Sequence, residues 1–196
     1  PYRITSGLRF FEQAHIKDVT ALLRLLVQPG DRLAFQRLLC LFPRLGIRSV
    51  NRVWERIGCR FPPLESEPLK ELLDALPAAA QGPWRPIHEL LMDIPGASLD
   101  EDPGEILFRF TKKIYDAYAN QSFDNYQRRI EDIHELINFS TRYESVRALV
   151  EEMALLTNVD TAVNEDAEEE DDAVRLSTVH QAKGLEWRAV IVPWMS

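Results

Sequence analysis

Thr178, His180, Lys183, Gly184 and Glu186 fall within nine residues, ahead of the apolar run Ala189 to Val192. A polar loop with a glycine, leaving the end of a strand, brings hydroxyl, imidazole and backbone N–H groups close to a phosphate. Such a loop grips a phosphate chain and contains no nucleophile–base pair. His180 taken alone reads as a surface histidine in a turn. Arg44, Arg48 and Arg52 form a second group, interleaved with Gly46 and Ser49, where helix N-terminal amides and guanidinium groups favour phosphate. Arg9, Phe10 and Phe11 form a third, since aromatic faces stack on unpaired bases at ~1–3 kcal/mol each. At least one of those two phenylalanines also suits the core.

No comparable group points to catalysis. The chain has no G-x-x-x-x-G-K-[ST] run to cradle a nucleotide's phosphates, so no catalytic residue is expected in it. Cys40 and Cys59 are too few and too far apart for a zinc site, and no histidine pair has H-x-x-x-H spacing. No metal site is expected, and the thiols read as reduced and structural, as in a cytoplasmic protein. The formal net charge is −8, but Glu165, Asp166, Glu168, Glu169, Glu170, Asp171 and Asp172 carry seven of those charges. The remainder is close to neutral, and local basic patches decide phosphate binding. No apolar run approaches the roughly 20 residues of a membrane helix, and no basic segment leads into an apolar signal core. A cytoplasmic protein without a membrane partner is expected.

The elements that position these residues follow from periodicity. Pro1 to Thr5 reads as a strand, and Ile16 to Val27 as a helix with Ile16, Val19, Leu22, Leu23 and Leu26 on one face. Asp31 caps a second helix, and Pro43 to Gly46 turns the chain into a third, from about Ser49 to Ile57. From Phe61 to Gly104 the prolines are dense, which predicts loops between small helices at Leu69 to Leu76 and Ile87 to Ile94. Asp102-Pro103 starts a helix with Ile106, Phe110, Ile114 and Tyr118 at helical spacing. Ser122 is the expected cap of the next, with Ile130, Ile133 and Ile137 inward. Thr141 to Glu144 fits a capping box ahead of Val146, Leu149, Val150, Met153 and Leu156. Residues 164–172 carry too much like charge to pack and read as an acidic linker. Val174 to Ser177 and Ala189 to Val192 read as strands, the latter buried. Helices between strand-bearing ends are the pattern of a helical domain inserted into an α/β domain. With Pro1 first and Val190 to Met195 resembling a strand cut short, both termini read as truncated.

Thr178-Val179-His180-Gln181-Ala182-Lys183-Gly184-Leu185-Glu186-Trp187 resembles motif V of UvrD/Rep-like superfamily 1 DNA helicases. Pro1-Tyr2-Arg3-Ile4 through Gly7-Leu8-Arg9-Phe10-Phe11-Glu12 to Ile16-Lys17-Asp18 resembles motif IVa of the same family, which often has an acidic residue where His15 stands. Arg44-Leu45-Gly46 resembles the Gly-apolar-Gly turn of a helix-hairpin-helix, with Arg44 in place of the first glycine. A duplex-phosphate role and a merely structural turn both fit that segment, and a tight turn without its glycine is expected to be altered.

The resemblance implies a mainly α chain, a helical accessory domain inserted into an incomplete α/β RecA-like motor domain. Residues 1–28 would be the first part of motor domain 2A, 29–163 the accessory domain 2B, 164–172 the linker and 173–196 the returning part of 2A. It gives Thr178 and His180, with Arg9 and Phe10, to single-stranded DNA, and Glu186 to the ATP ribose. Lys183 and Gly184 shape the motif V loop, while Arg44, Gly46, Arg48, Ser49 and Arg52 meet the duplex. The acidic Walker B pair and the family's arginine-bearing motif VI are absent from the chain. The expected function is that of a fragment of an ATP-dependent 3′-to-5′ helicase of DNA repair, replication or recombination. It would contribute DNA contacts and regulation, with ATP and Mg2+ serving the intact protein and no cofactor expected in the fragment. Its partners would be a single-strand/duplex junction, the N-terminal motor domain, and repair or replication proteins. The alternative is a protein-docking helical module of such a helicase without DNA binding of its own.

Overall fold

The computed structural model describes residues 2–4, 10–94, 102–165, 174–176, 186 and 188–192. The fold is mainly α. In chain order it runs β1 (Tyr2–Ile4), α1 (Ala14–Val27), α2 (Arg32–Cys40), α3 (Ile47–Arg56), α4 (Ser66–Ala75) and α5 (Ala78–Asp93). There follow α6 (Pro103–Phe110), a π-turn (Thr111–Tyr115), α7 (Asp116–Ser122), α8 (Tyr126–Ser140), α9 (Val146–Glu165) and β2 (Val174–Leu176). β1 and β2 pair in parallel, with Tyr2 opposite Val174 and Ile4 opposite Leu176. A parallel pair needs a crossover, and here all the described helices lie in it.

α1 is the central helix. Ile16, Val19, Leu22, Leu23, Leu25 and Leu26 are buried, and the helix packs against α2, α6, α8 and α9. Asp31 caps α2 as its position suggests: its Oδ1 accepts from the Ala34 N–H at 3.0 Å, while Oδ2 bonds Arg24. A second part of the core is aromatic. Phe35 lies 4.6 Å from Trp54 and 5.8 Å from Phe61, and Trp84 lies 5.4 Å from Phe42, so rings from α2, α3, α5 and the connecting loops meet.

Several elements differ from their sequence patterns. The proline-dense region contains one helix of 16 residues, α5, with Pro83 and Pro86 inside it. An interior proline costs ~3 kcal/mol. Trp84, Ile87, Leu90 and Leu91 are fully buried, at about 1.5–3 kcal/mol each, which outweighs two such losses. Between α6 and α7 the π-turn advances the buried face. Tyr115 and Ala119 enter the core, whereas Tyr118, expected there, is only half-buried.

Ser122 ends α7 rather than capping α8, whose N-cap is Asn125. Thr141 is the C-cap of α8, and Ser145 caps α9 by accepting from the Ala148 N–H at 3.1 Å. In both places a hydroxyl in a plausible cap position sat one turn too early. Ala189 to Val192 is no buried strand. Val190, Ile191 and Val192 are exposed, with Ile191 at 90%. A strand requires a neighbour to take its backbone groups, and among the described residues the only sheet is the β1–β2 pair.

Candidate nucleic-acid interface

The connection from α2 to α3 places the arginines of the second sequence group. The Phe42 carbonyl accepts from the Leu45 N–H at 3.3 Å, and Arg44 has φ 64°. Pro43 fixes a negative φ at the second position of that turn, which excludes the primed turns and leaves type II, where the third position is left-handed and normally glycine. Replacing the first glycine by Arg44 therefore leaves the tight turn in place and strains it, by about 1–2 kcal/mol for an L-residue in that region. Gly46 has the opposite character. Its φ of −88° suits any residue, and a Cβ there would meet no atom within 4 Å.

Gly46 is the N-cap of α3 and supplies no side-chain cap. Its carbonyl accepts from the Ser49 and Val50 N–H groups at 2.9 and 3.0 Å and from Ser49 Oγ at 2.8 Å. Ser49 thus braces the first turn from within. The amides of Ile47 and Arg48 have no acceptor across that turn, the arrangement that suits an anion. Val50, Val53 and Trp54 bury one face of α3, which leaves Arg48 and Arg52 exposed on the other. Among the described residues neither they nor Arg44 have an ion pair, whereas Arg24 and Arg37 are held by Asp31 and Asp18 at 2.7 and 2.8 Å. Gln36 Nε2 donates to Asn51 Oδ1 at 2.6 Å and ties α2 to α3, fixing the hairpin angle. That bond and the exposed Arg56 one turn beyond Arg52 were missed in the sequence, although the four-residue spacing was there to be read.

Phe10 is half-buried, with its ring edge-on to Phe11 at 5.2 Å, and Phe11 continues to Phe139 at 5.5 Å. Both phenylalanines pack against the core. Glu186 is exposed. Arg9, Thr178, His180, Lys183 and Gly184 lie outside the described residues, so the structure brings together the hairpin group alone. Cys40 and Cys59 are free and exposed, so neither thiol fills the core. Among the described residues no group of His, Cys, Asp and Glu is arranged to hold a metal ion, and no helix is long and apolar enough to cross a membrane.

The helical body thus holds a hairpin whose Arg44, Arg48 and Arg52 have no ion pair among the described residues. The comparisons are more specific. Residues 87–196, more than half of the chain, match the model of the UvrD-like helicase C-terminal domain, and the chain belongs to that family. It is similar over 98% of its length to ATP-dependent DNA helicase UvrD1 of Mycobacterium tuberculosis (strain H37Rv), at 30% identity. DNA helicase II of Escherichia coli K12 is 30% identical over 100% of the chain, and DNA helicase II of Haemophilus influenzae is 27% identical over 98%. The chain spans 28% of the length of each of these relatives.

Proposed function

We propose that this chain acts as the duplex-holding part of an ATP-dependent DNA helicase that moves 3′ to 5′, contributing DNA contacts and regulation of unwinding. The observation that carries it is the α2–α3 hairpin: a strained turn at Arg44, an N-terminus of α3 without a side-chain cap, and guanidinium groups at Arg44, Arg48 and Arg52 that have no ion pair among the described residues. Gly46 admits a phosphate close to the backbone because nothing lies over it, and Ser49 holds the turn that presents the amides.

In this reading residues 29–163 form the accessory domain, residues 1–28 and 173–196 belong to the motor domain into which it is inserted, and 164–172 link them. The parallel β1–β2 pairing supports an insertion, since it joins the two flanks. Thr178 and His180, with Arg9 and Phe10, hold the single strand, Lys183 and Gly184 shape that loop, and Glu186 faces the ATP ribose. ATP and Mg2+ act in the whole helicase. With no phosphate loop in this sequence, no step of hydrolysis is assigned to its residues. The setting is cytoplasmic, on the nucleoid, with the remaining motor domain and repair or replication proteins as partners. Exposed Leu33 and Ile47 border an open groove beside the hairpin, which favours docking of a protein as the second reading.

Fluorescence anisotropy with a 3′-tailed duplex, a blunt duplex and single-stranded DNA at two salt concentrations tests the proposal. Salt-sensitive binding that prefers the junction, lost on reversing Arg44, Arg48 and Arg52 to Glu, is the expected result. A folded chain that binds none of the three at low salt overturns DNA holding and leaves protein docking.

A further inference from the structure

The arginines of the hairpin continue past its turn. From Arg44 an arginine recurs at every fourth position, as Arg48, Arg52, Arg56 and Arg60. All five are exposed, and among the described residues none has an ion-pair partner. Three of them, Arg48, Arg52 and Arg56, stand on α3 itself, opposite the face buried through Val50, Val53 and Trp54.

Residues four apart on a helix form a row inclined by about 26° to its axis. At 1.5 Å per residue the row from Arg48 to Arg56 covers about 12 Å. Like charges at that spacing repel and destabilise an isolated helix, a repulsion that a polyanion along the row removes. The end of the row is held firmly. Gly58 and Cys59 are both left-handed, at φ 76° and 59°, and the Cys59 N–H bonds the Trp54 carbonyl at 2.9 Å, closing the last turn of α3 around Arg56. Arg60 lies beyond that reversal and leaves the row.

We propose that Arg56 is a further DNA-backbone residue, so that Arg48, Arg52 and Arg56 follow the phosphates of one duplex strand obliquely along α3. The inference rests on the hairpin reading above and extends it from the turn to the length of the helix. One group opposes it locally. Glu55 is exposed and lies within about 20° of Arg48 around the helix axis, seven residues on. Its carboxylate faces the same strand and weakens the contact. Arg56 also stands in the last turn, where a cation stabilises the helix C-terminus. That structural role changes stability and does not affect the salt dependence of binding.

The test is the slope of log affinity against log salt for a 20-base-pair blunt duplex, measured by anisotropy with the full 196-residue chain. Arg56→Gln is expected to lower the slope by about 0.9, the contribution of one phosphate contact, and to weaken binding several-fold at low salt. Glu55→Gln is expected to tighten it. Arg85→Gln, an equal change of charge at an exposed position on α5, is the control and is expected to leave the slope unchanged. If Arg44→Gln and Arg48→Gln weaken binding while Arg56→Gln leaves the slope intact, the extended row is overturned and the hairpin reading stands. An equal effect of Arg85→Gln also overturns the row, because the response would then follow net charge alone. If the unaltered chain does not bind the duplex, both readings fall together.

Discussion

His15 Nε2 lies 2.9 Å from Asp132 Oδ2, joining α1 to α8 across the helical body, and His15 Nδ1 lies 3.4 Å from an Arg129 guanidinium nitrogen. Guanidinium only donates, so Nδ1 accepts and Nε2 carries the proton given to Asp132. The neutral imidazole thus satisfies both partners. His15 is 5% exposed. Burial, with the Arg129 charge, holds its pKa below the ordinary histidine value despite the hydrogen bond and charge of Asp132 and the more distant charge of Asp18.

A pKa depressed on folding means that the unfolded chain takes up the proton first. The stabilisation from neutral His15 is complete above the unfolded value, 6.5, and is lost as the pH falls through the folded one. Urea midpoints between pH 7.5 and 5 are expected to fall further for the unaltered chain than for His15→Gln, whose amide also donates and accepts but does not titrate. Parallel curves for the two proteins would show that folding leaves the imidazole's proton affinity unchanged. They would remove this histidine as a source of acid sensitivity.

Arg44→Gly separates stability from binding. Relief of a left-handed arginine returns ~1–2 kcal/mol, and the greater freedom of glycine in the unfolded chain takes back ~0.4–1 kcal/mol. The variant is expected to be more stable by roughly 0.5–1 kcal/mol in urea while binding duplex DNA less tightly. A loss of stability would mean that the Arg44 side chain holds the turn together.

The helices were legible in the sequence wherever one physical signal dominated. The Ile16 to Leu26 stripe and the Asp31 and Asp102 caps are local, so α1 spans close to the residues of its stripe and α2 and α6 begin where their caps place them. α5 was not legible, because two prolines are a strong local signal and the burial of Trp84 that overrides them is a tertiary one. Spacing alone likewise assigned Tyr118 to the core, and the π-turn at Thr111–Tyr115 gave that place to Tyr115 and Ala119. In the candidate site the residue types were legible while the conformation was not. Arg44 marked a departure from a glycine turn, and only φ 64° shows that the turn survives it. His15 marked a lost acidic group, and its partners come from a helix more than a hundred residues away.

Gly104 stands where α6 packs against the end of α8. A Cβ there would lie 3.0 Å from Asp102 Oδ1, 3.0 Å from Ser140 Oγ and 3.4 Å from the Ile137 carbonyl. Asp102 is the cap of α6, bonding the Gly104 N–H at 2.8 Å, and Ser140 Oγ donates to Ile137 at 2.6 Å, so neither neighbour is free to move. Gly104→Ala is expected to lose about 1 kcal/mol. Overpacking costs ~1–3 kcal/mol, and the better helix propensity of alanine returns at most ~1 kcal/mol. Thermal denaturation of the variant checks this, and an unchanged or raised midpoint would show that α6 and α8 separate at little cost.

Tyr115 is fully buried on the π-turn, and among the described residues no group lies within ordinary hydrogen-bond distance of its hydroxyl, although Asp18 is close enough to influence it. Burial, with the nearby Asp18 charge, pushes that phenol far above the ordinary range, so it stays protonated. A buried hydroxyl left unpaired costs ~1–3 kcal/mol, and removing it costs nothing in hydrogen bonds. Tyr115→Phe keeps the ring contact with Tyr118 at 5.5 Å and is expected to leave stability unchanged or raise it by up to ~1 kcal/mol. The same change at a paired tyrosine lowers stability. A loss of 1 kcal/mol or more in urea denaturation would therefore place a partner on the hydroxyl, with Asp18 the nearest candidate, and Asp18→Asn combined with Tyr115→Phe would then lose less than the sum of the two.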